Sequence, residues 1–224
     1  MNQVLPICEM FTSIQGEGTN AGTVQFFIRA ATCDMQCKIC DSKYSWSKGE
    51  RISIQQLLDD VSTSGITNVC LTGGEIAQFK GKLAALVAFL RVRDIHIVLQ
   101  TNGLHYHIDF DLIHTVGMDM KTPSTGEKSN ESLILKLRSK DEVKTLIHDM
   151  VDYEYAVKIN KIVRGVGCKQ ILQPLNLVGE DTIGDLLDKY RWICEMVVKD
   201  RRWGGDVRVI PQLHVFLWGN KRGV

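Results

Sequence analysis

The chain has 224 residues, 44% of them hydrophobic and 24% charged, the profile of a globular protein with room for one large core. A formal net charge of +1 gives no overall electrostatic case for a nucleic-acid or membrane partner. The N-terminus shows no basic stretch leading into an apolar one, and no apolar run approaches the length of a membrane span, so a cytoplasmic location is expected.

In chain order, residues 24–31 (VQFFIRAA) form a continuous β-branched and aromatic run, the pattern of a buried strand. Residues 52–65 (ISIQQLLDDVSTSG) read as an amphipathic helix stopped by Gly65, and 68–75 (NVCLTGGE) as a strand running into glycines. A helix at 82–93 (KLAALVAFLRVR) leads to a strand at 96–103 (HIVLQTNG) and a short strand at 116–121 (VGMDMK). The loop-like stretch 122–132 (TPSTGEKSNES) follows, then an expected helix at 140–151 (KDEVKTLIHDMV) and an expected strand at 153–159 (YEYAVKI). The remainder reads as a strand at 168–175, a helix at 182–199 and a last strand at 206–214. Such alternation predicts parallel strands joined by right-handed crossovers. About six units fall short of the eight of a closed barrel, so the expected fold is α/β, an open partial (β/α)6 barrel in one domain over residues 1–224. The segments TGGE, QTNG, DMK and QPLN all fall at strand ends, where parallel α/β folds gather their ligands.

Seven cysteines, an odd number, in a chain expected to be cytoplasmic speak against a disulfide framework. Cys70 and Cys194 lie in apolar runs and read as small buried hydrophobes, while Cys8 and Cys168 stand alone. Cys33, Cys37 and Cys40 are different, set at C-x3-C-x2-C. Thiolates at this density suit a soft metal site. A structural zinc wants four ligands, usually in two pairs, yet there is no second C-x2-C and no histidine between Asn2 and Arg93. A four-iron cluster held by three cysteines leaves one iron open to an outside ligand.

A cysteine triplet after one strand and Gly73-Gly74-Glu75 after the next resemble the radical S-adenosylmethionine superfamily. That resemblance implies a 4Fe-4S cluster on Cys33, Cys37 and Cys40, its open iron chelated by the methionine end of S-adenosylmethionine. Reductive cleavage of the sulfonium then gives methionine and a 5′-deoxyadenosyl radical. Glu75 is expected to accept hydrogen bonds from the methionine ammonium, and Gly73 and Gly74 to let the backbone approach the ligand closely.

The flanking segments EMFTSIQGEGTNAG and PQLHVFLWGNKRGV, with Arg29 and the CDS motif, resemble the 7-carboxy-7-deazaguanine synthase family over residues 9–224. This implies ring contraction of 6-carboxy-5,6,7,8-tetrahydropterin with loss of ammonia, toward 7-deazapurines such as queuosine and archaeosine. S-adenosylmethionine serves there as a cofactor and is not consumed. The implied substrate contacts are Glu17 with the backbone of Ile14, Gln15 and Gly16 on the pterin edge, together with Thr72, His214 and the carboxylate end of Val224. Arg29 is expected to clamp the substrate carboxylate; as a plain strand-end arginine it pairs instead with Glu17 or Asp41. Ser42 stands where most members place a threonine ligand to Mg2+. Asp119, Met120 and Lys121, with Gln173, Pro174, Leu175 and Asn176, are implied contacts to S-adenosylmethionine. An external electron donor such as flavodoxin or ferredoxin and a homodimer are implied as well. The chain departs from the pattern at Ile39, where many members carry an aromatic, at Ile76 in place of proline, and in DMK for the usual Ser-Pro-Lys. A glycyl-radical activase shares the triplet and the Gly-Gly-Glu but has no use for Arg29, SIQGEG or the tail. A non-catalytic iron–sulfur or zinc module leaves the strand-end motifs without a purpose.

Overall fold

Nine strands form one sheet in a computed structural model that describes residues 3–224. They are β1 (Val4–Ile14), β2 (Val24–Ala30), β3 (Glu50–Ser53), β4 (Asn68–Gly73), β5 (His96–Thr101), β6 (Thr115–Asp119), β7 (Glu142–Ile147), β8 (Lys169–Pro174) and β9 (Val207–Val209). Their order is β3-β1-β2-β4-β5-β6-β7-β8-β9. From β2 to β9 every neighbouring pair is parallel, whereas β1 runs antiparallel to both β2 and β3. β3 and β9 are the two edges, so the barrel is open as expected. The segment EMFTSIQGEGTNAG begins as a strand: Glu9 to Ile14 belong to β1 and pair with β2.

Helices α1 (Ile54–Ser64), α2 (Lys80–Val92), α3 (Met150–Val166) and α4 (Ile183–Lys199) cover the outer face, and α5 (Leu213–Trp218) lies near the C-terminus. Ser53 caps α1 by accepting from the Gln56 N–H, and Gly65 ends it in the left-handed region. Two crossovers lack an α-helix. Short 3-10 turns at Phe110–Leu112 and at Pro123–Thr125 and Glu131–Lys136 replace it between β5 and β6 and between β6 and β7. Those loops still cover the sheet, because Ile108, Phe110, Ile113 and Ile134 join the outer core with Leu57, Leu71, Leu86 and Leu99. The open partial barrel thus has six parallel crossovers from β2 to β9, four of which carry an α-helix.

The sequence reading inverts one pair of elements. Residues expected as a helix supply β7, and YEYAVKI belongs to α3. β7 is buried on both faces, and Glu142, Lys144 and Thr145 are among its buried residues, so no polar–apolar alternation follows burial to mark it as a strand. α3 buries Tyr153, Ala156, Val157, Asn160 and Val163 at helical spacing, which outweighs the β-propensity of its tyrosines and valine. Its start is set by Asp149, whose carboxylate accepts from the Val151 and Asp152 N–H groups, and its end by Gly167 at φ 79°.

Because Asp149 satisfies two otherwise orphaned N–H groups, Asp149→Ala is expected to lower unfolding free energy by about 1 kcal/mol. Denaturant unfolding at neutral pH checks this.

Candidate active site

The C-terminal ends of the parallel strands open into a cavity of about 250 Å³. Its floor is apolar: Phe27 and Cys70, with Val98, pack under Phe11, whose ring stacks on Phe27 at 5.0 Å. Cys70 thus serves as a small hydrophobe, and Cys168 is buried too, whereas Cys194 is only half-buried. Burial pushes the Cys70 thiol up to about 12, against the nearby Arg29 charge.

Cys33, Cys37 and Cys40 all line the cavity, on the loop that leaves β2. Among the described residues no three histidine, cysteine or carboxylate side chains are grouped to hold a single metal ion. Cluster thiolates have a different task, since each bonds its own iron around a cube. The donor set is soft, and the three thiols are free of disulfides. Burial pushes the Cys37 thiol up to about 11, partly offset by Lys121, so a metal bound there would displace its proton.

Gly73 and Gly74 meet this loop directly. A Cβ on Gly73 would stand 2.3 Å from the Ala30 carbonyl oxygen, and one on Gly74 2.0 Å from that of Thr32. The Gly74 N–H donates to Ala30 (2.9 Å) and the Glu75 N–H to Thr32 (2.9 Å). The pair is thus required by backbone-to-backbone packing, independently of any ligand. Glu75 is 1% exposed and accepts from the Ala77 N–H, the Thr101 hydroxyl and the Asn102 N–H. Burial nevertheless pushes its carboxyl up to about 6, the position of a carboxylate that gains from a cation beside it.

On the opposite wall, Glu17 forms an ion pair with Lys144 of β7 and accepts from the Gln212 amide at 2.7 Å. Burial alone would raise the Glu17 carboxyl, but Lys144, His214 and the Gln212 N–H bring it down to about 2. Its neighbour Gly16 makes room for His214, whose Nδ1 lies 2.0 Å from where a Gly16 Cβ would be. Arg29 pairs with neither Glu17 nor Asp41. Its Nε donates to Glu9 of β1 at 2.8 Å, and among the described residues its terminal nitrogens have no carboxylate of their own. Ile14, Gln15, Thr72, Ser42 and Val224 line the same cavity, and the Ser42 hydroxyl lies 3.7 Å from the Cys40 sulfur.

Asp119 and Lys121 line the cavity as a 2.7 Å ion pair. Between them in sequence, Met120 turns the other way and is buried in the outer core. Gln173 and Asn176 also line the cavity, while Pro174 and Leu175 do not; their side chains are therefore not placed for ligand contact. Gln100 Oε1, Gln173 Nε2 and Asn176 Oδ1 are buried without a hydrogen-bond partner among the described residues. All three residues line this cavity. A buried polar atom left unpaired costs about 1–3 kcal/mol, so the walls fit a polar ligand that supplies the partners.

Residues 14–116 match a family described as a 4Fe-4S single cluster domain. A 7-carboxy-7-deazaguanine synthase of Bacillus cereus is 32% identical over 98% of this chain and 99% of its own length. The chain belongs to the 7-carboxy-7-deazaguanine synthase family. A relative of that name from Thermoplasma acidophilum is 30% identical over 97% of this chain and 99% of its own. The crystal structure of QueE from Escherichia coli superposes with a TM-score of 0.73 at 22% identity, covering 94% of this chain and 95% of that one; the two share the fold. For a synthase-family chain, the residue that sequence reading missed is Lys144. The signal was present, since a lysine inside the apolar run VKTLI is costly to bury without an anion, the same argument that singled out Arg29.

Lys144 is 4% exposed, and removing it leaves Glu17 with no ammonium beside it. Lys144→Met is expected to destabilise the fold at neutral pH by about 3 kcal/mol. Because the Glu17 carboxyl is held low in the folded protein, its stabilisation is complete above about pH 4.3 and is lost as pH falls toward about 2. Wild type and variant should therefore converge in stability on acidification; unfolding curves at neutral and acid pH check this.

Proposed function

We propose that this chain converts 6-carboxy-5,6,7,8-tetrahydropterin to 7-carboxy-7-deazaguanine with loss of ammonia, using a 4Fe-4S cluster and S-adenosylmethionine. The observation that supports it best is one cavity that joins the three thiols and Glu75 to Arg29 and the Glu17–Lys144 pair. Cys33, Cys37 and Cys40 hold the cluster. Glu75 receives the ammonium of S-adenosylmethionine, which keeps its carboxyl ionised despite burial. Gln173 and Asn176 offer an unpaired amide donor and acceptor to the same cofactor, and Asp119 and Lys121 complete that wall. When bound, the cluster and cofactor supply a one-electron cleavage that starts chemistry at an unactivated C–H bond.

The substrate side is arranged by charge. Arg29, held through Nε by Glu9, keeps its terminal nitrogens for the pterin carboxylate. Glu17, held ionised by Lys144, accepts from the guanidine-like edge, with Gln15 and the backbone of Ile14 and Gly16 beside it. Thr72, His214 and the end of the chain at Val224 border the same space. The apolar floor excludes water from beneath the reacting ring. Ser42 supports a Mg2+ ion on the substrate carboxylate, an ion that keeps most of its waters and needs few protein ligands. An external one-electron donor and a homodimeric assembly belong to the same reading. No helix among the described residues is long and apolar enough to cross a membrane.

Anaerobic, iron-reconstituted and reduced protein, given S-adenosylmethionine and the pterin acid, is expected to form 7-carboxy-7-deazaguanine, followed by mass spectrometry. Omitting magnesium should depress the rate, and Ser42→Ala should raise the magnesium concentration needed. Formation of 5′-deoxyadenosine without the deazaguanine would overturn the substrate assignment and leave the scaffold standing.

A further inference from the structure

The last residues of the chain form part of the cavity wall. Gly219 to Val224 all line it, and the glycines Gly219 and Gly223 adopt left-handed φ values of 63° and 68°, conformations in which a side chain would be strained. Two contacts seat this strap. On the cofactor side, the Asn176 side-chain amide donates to Oδ1 of the Asn220 side chain at 2.7 Å. On the substrate side, the Arg222 guanidinium lies 3.9 Å above the centre of the Tyr44 ring and reaches Glu9 Oε2 at 3.4 Å.

Glu9 stands at the centre of the second contact. Its Oε1 accepts from Arg29 Nε (2.8 Å) and from the Tyr44 hydroxyl (3.0 Å), while Oε2 faces Arg222. Tyr44 is flanked by two guanidinium groups, because Arg29 approaches its ring at 5.9 Å. It also sits on the turn Lys43–Trp46 that follows Cys40 and Ser42. One carboxylate and one ring therefore tie together the tail, the end of the cysteine loop and the arginine that faces the cavity. Nothing in the proposed reaction uses Tyr44 or Arg222.

We infer that Arg222 and Tyr44 are positioning residues for the pterin acid: their stack seats the strap along the cavity and, through Glu9, holds Arg29 toward the substrate. The inference rests on the proposed substrate. Glu9 orients Arg29 from one side by Nε, and this leaves the face of the guanidinium that a carboxylate engages in two parallel bonds. Charge neutralisation is shared as well: with Arg222 seated, Glu9 serves two guanidinium groups, so the summed positive field that a ligand meets beside Arg29 is less fully offset. A stacked arginine also lines the cavity wall with little hydration cost, since its guanidinium is weakly hydrated.

The test compares the full, cluster-reconstituted chain with Arg222→Ala, Arg222→Lys, Tyr44→Phe and Tyr44→Leu. Binding of 6-carboxytetrahydropterin is measured at equilibrium without reductant, and KM and kcat are measured with it. Arg222→Ala is expected to bind the acid about tenfold more weakly and to raise its KM similarly, with kcat and the KM for S-adenosylmethionine within twofold. Tyr44→Phe, which keeps the ring under Arg222, should retain most of the affinity; Arg222→Lys, a more strongly hydrated ammonium without the planar fork, should recover only part of it; Tyr44→Leu should resemble Arg222→Ala. The double variant Arg222→Ala with Tyr44→Leu should lose no more than the worse single one. Hydrogen exchange of the amides of residues 219–224 should be faster in Arg222→Ala. Unchanged substrate affinity in Arg222→Ala, a loss that falls on kcat alone, or a Tyr44→Phe that binds as weakly as Tyr44→Leu would each overturn the inference. A wild-type chain that does not bind the acid overturns the substrate assignment, and the inference with it.

Discussion

The contact on which the site depends most is the seating of Gly73 and Gly74 against the end of β2. Two strands that must present different ligands, thiols from one and a carboxylate from the other, can deliver them to one cavity only if their C-terminal loops meet. Here they meet backbone to backbone, with hypothetical Cβ atoms colliding at 2.0–2.3 Å and two hydrogen bonds of 2.9 Å in their place. Thr32 takes a positive φ of 66° to make this turn, an outlying conformation for a β-branched residue that costs on the order of 1–3 kcal/mol. Its carbonyl then accepts from Glu75 and from the Gln78 amide. The strain lies one residue before Cys33, so the direction in which the cysteine loop leaves the sheet is set by protein packing.

The second organising feature is the pairing of charges around the cavity. Glu17 meets Lys144, Asp119 meets Lys121, and Arg29 meets Glu9. An unpaired charge at these depths would be expensive, and a pair limits that cost while keeping fixed dipoles aimed inward. Glu75 is different, since it has hydrogen bonds but, among the described residues, no ion-pair partner. Its raised carboxyl and the orphaned amide atoms of Gln100, Gln173 and Asn176 mark the places where protein alone does not complete the interactions. Preorganisation of this kind moves the cost of ordering from the binding step to folding.

Much of the arrangement was legible locally. The triplet spacing, the Gly-Gly-Glu and the strand-end motifs are short-range features, and the structure gathers them at one mouth. The β7–α3 inversion came from weighting propensity and apolar period over the cap at Asp149 and the stop at Gly167, both of which were present in the sequence. The length of β1 was hidden because Glu9 to Ile14 alternate weakly and pair with β2 only in three dimensions. Partners such as Arg29 with Glu9, or Lys144 with Glu17 at the other end of the chain, follow from register across the sheet. No local pattern carries that information.

The departures from the family's usual sequence are each compensated locally. Ile76, where proline is usual, is fully buried in the outer core, so the position has exchanged backbone stiffness for apolar burial. The turn it occupies is instead fixed by Glu75, which accepts from the Ala77 N–H. Ile39 lines the cavity and keeps an apolar surface where an aromatic is common. In DMK, the aspartate that replaces serine gives Lys121 an ion-pair partner at 2.7 Å, while the residue that replaces proline, Met120, donates its N–H to the Lys144 carbonyl at 2.8 Å, a bond that proline cannot make. That bond joins the end of β6 to the strand carrying Lys144, and through Lys144 to Glu17. A substitution that looks like the loss of a motif residue is, in this chain, a tie between the two walls of the cavity.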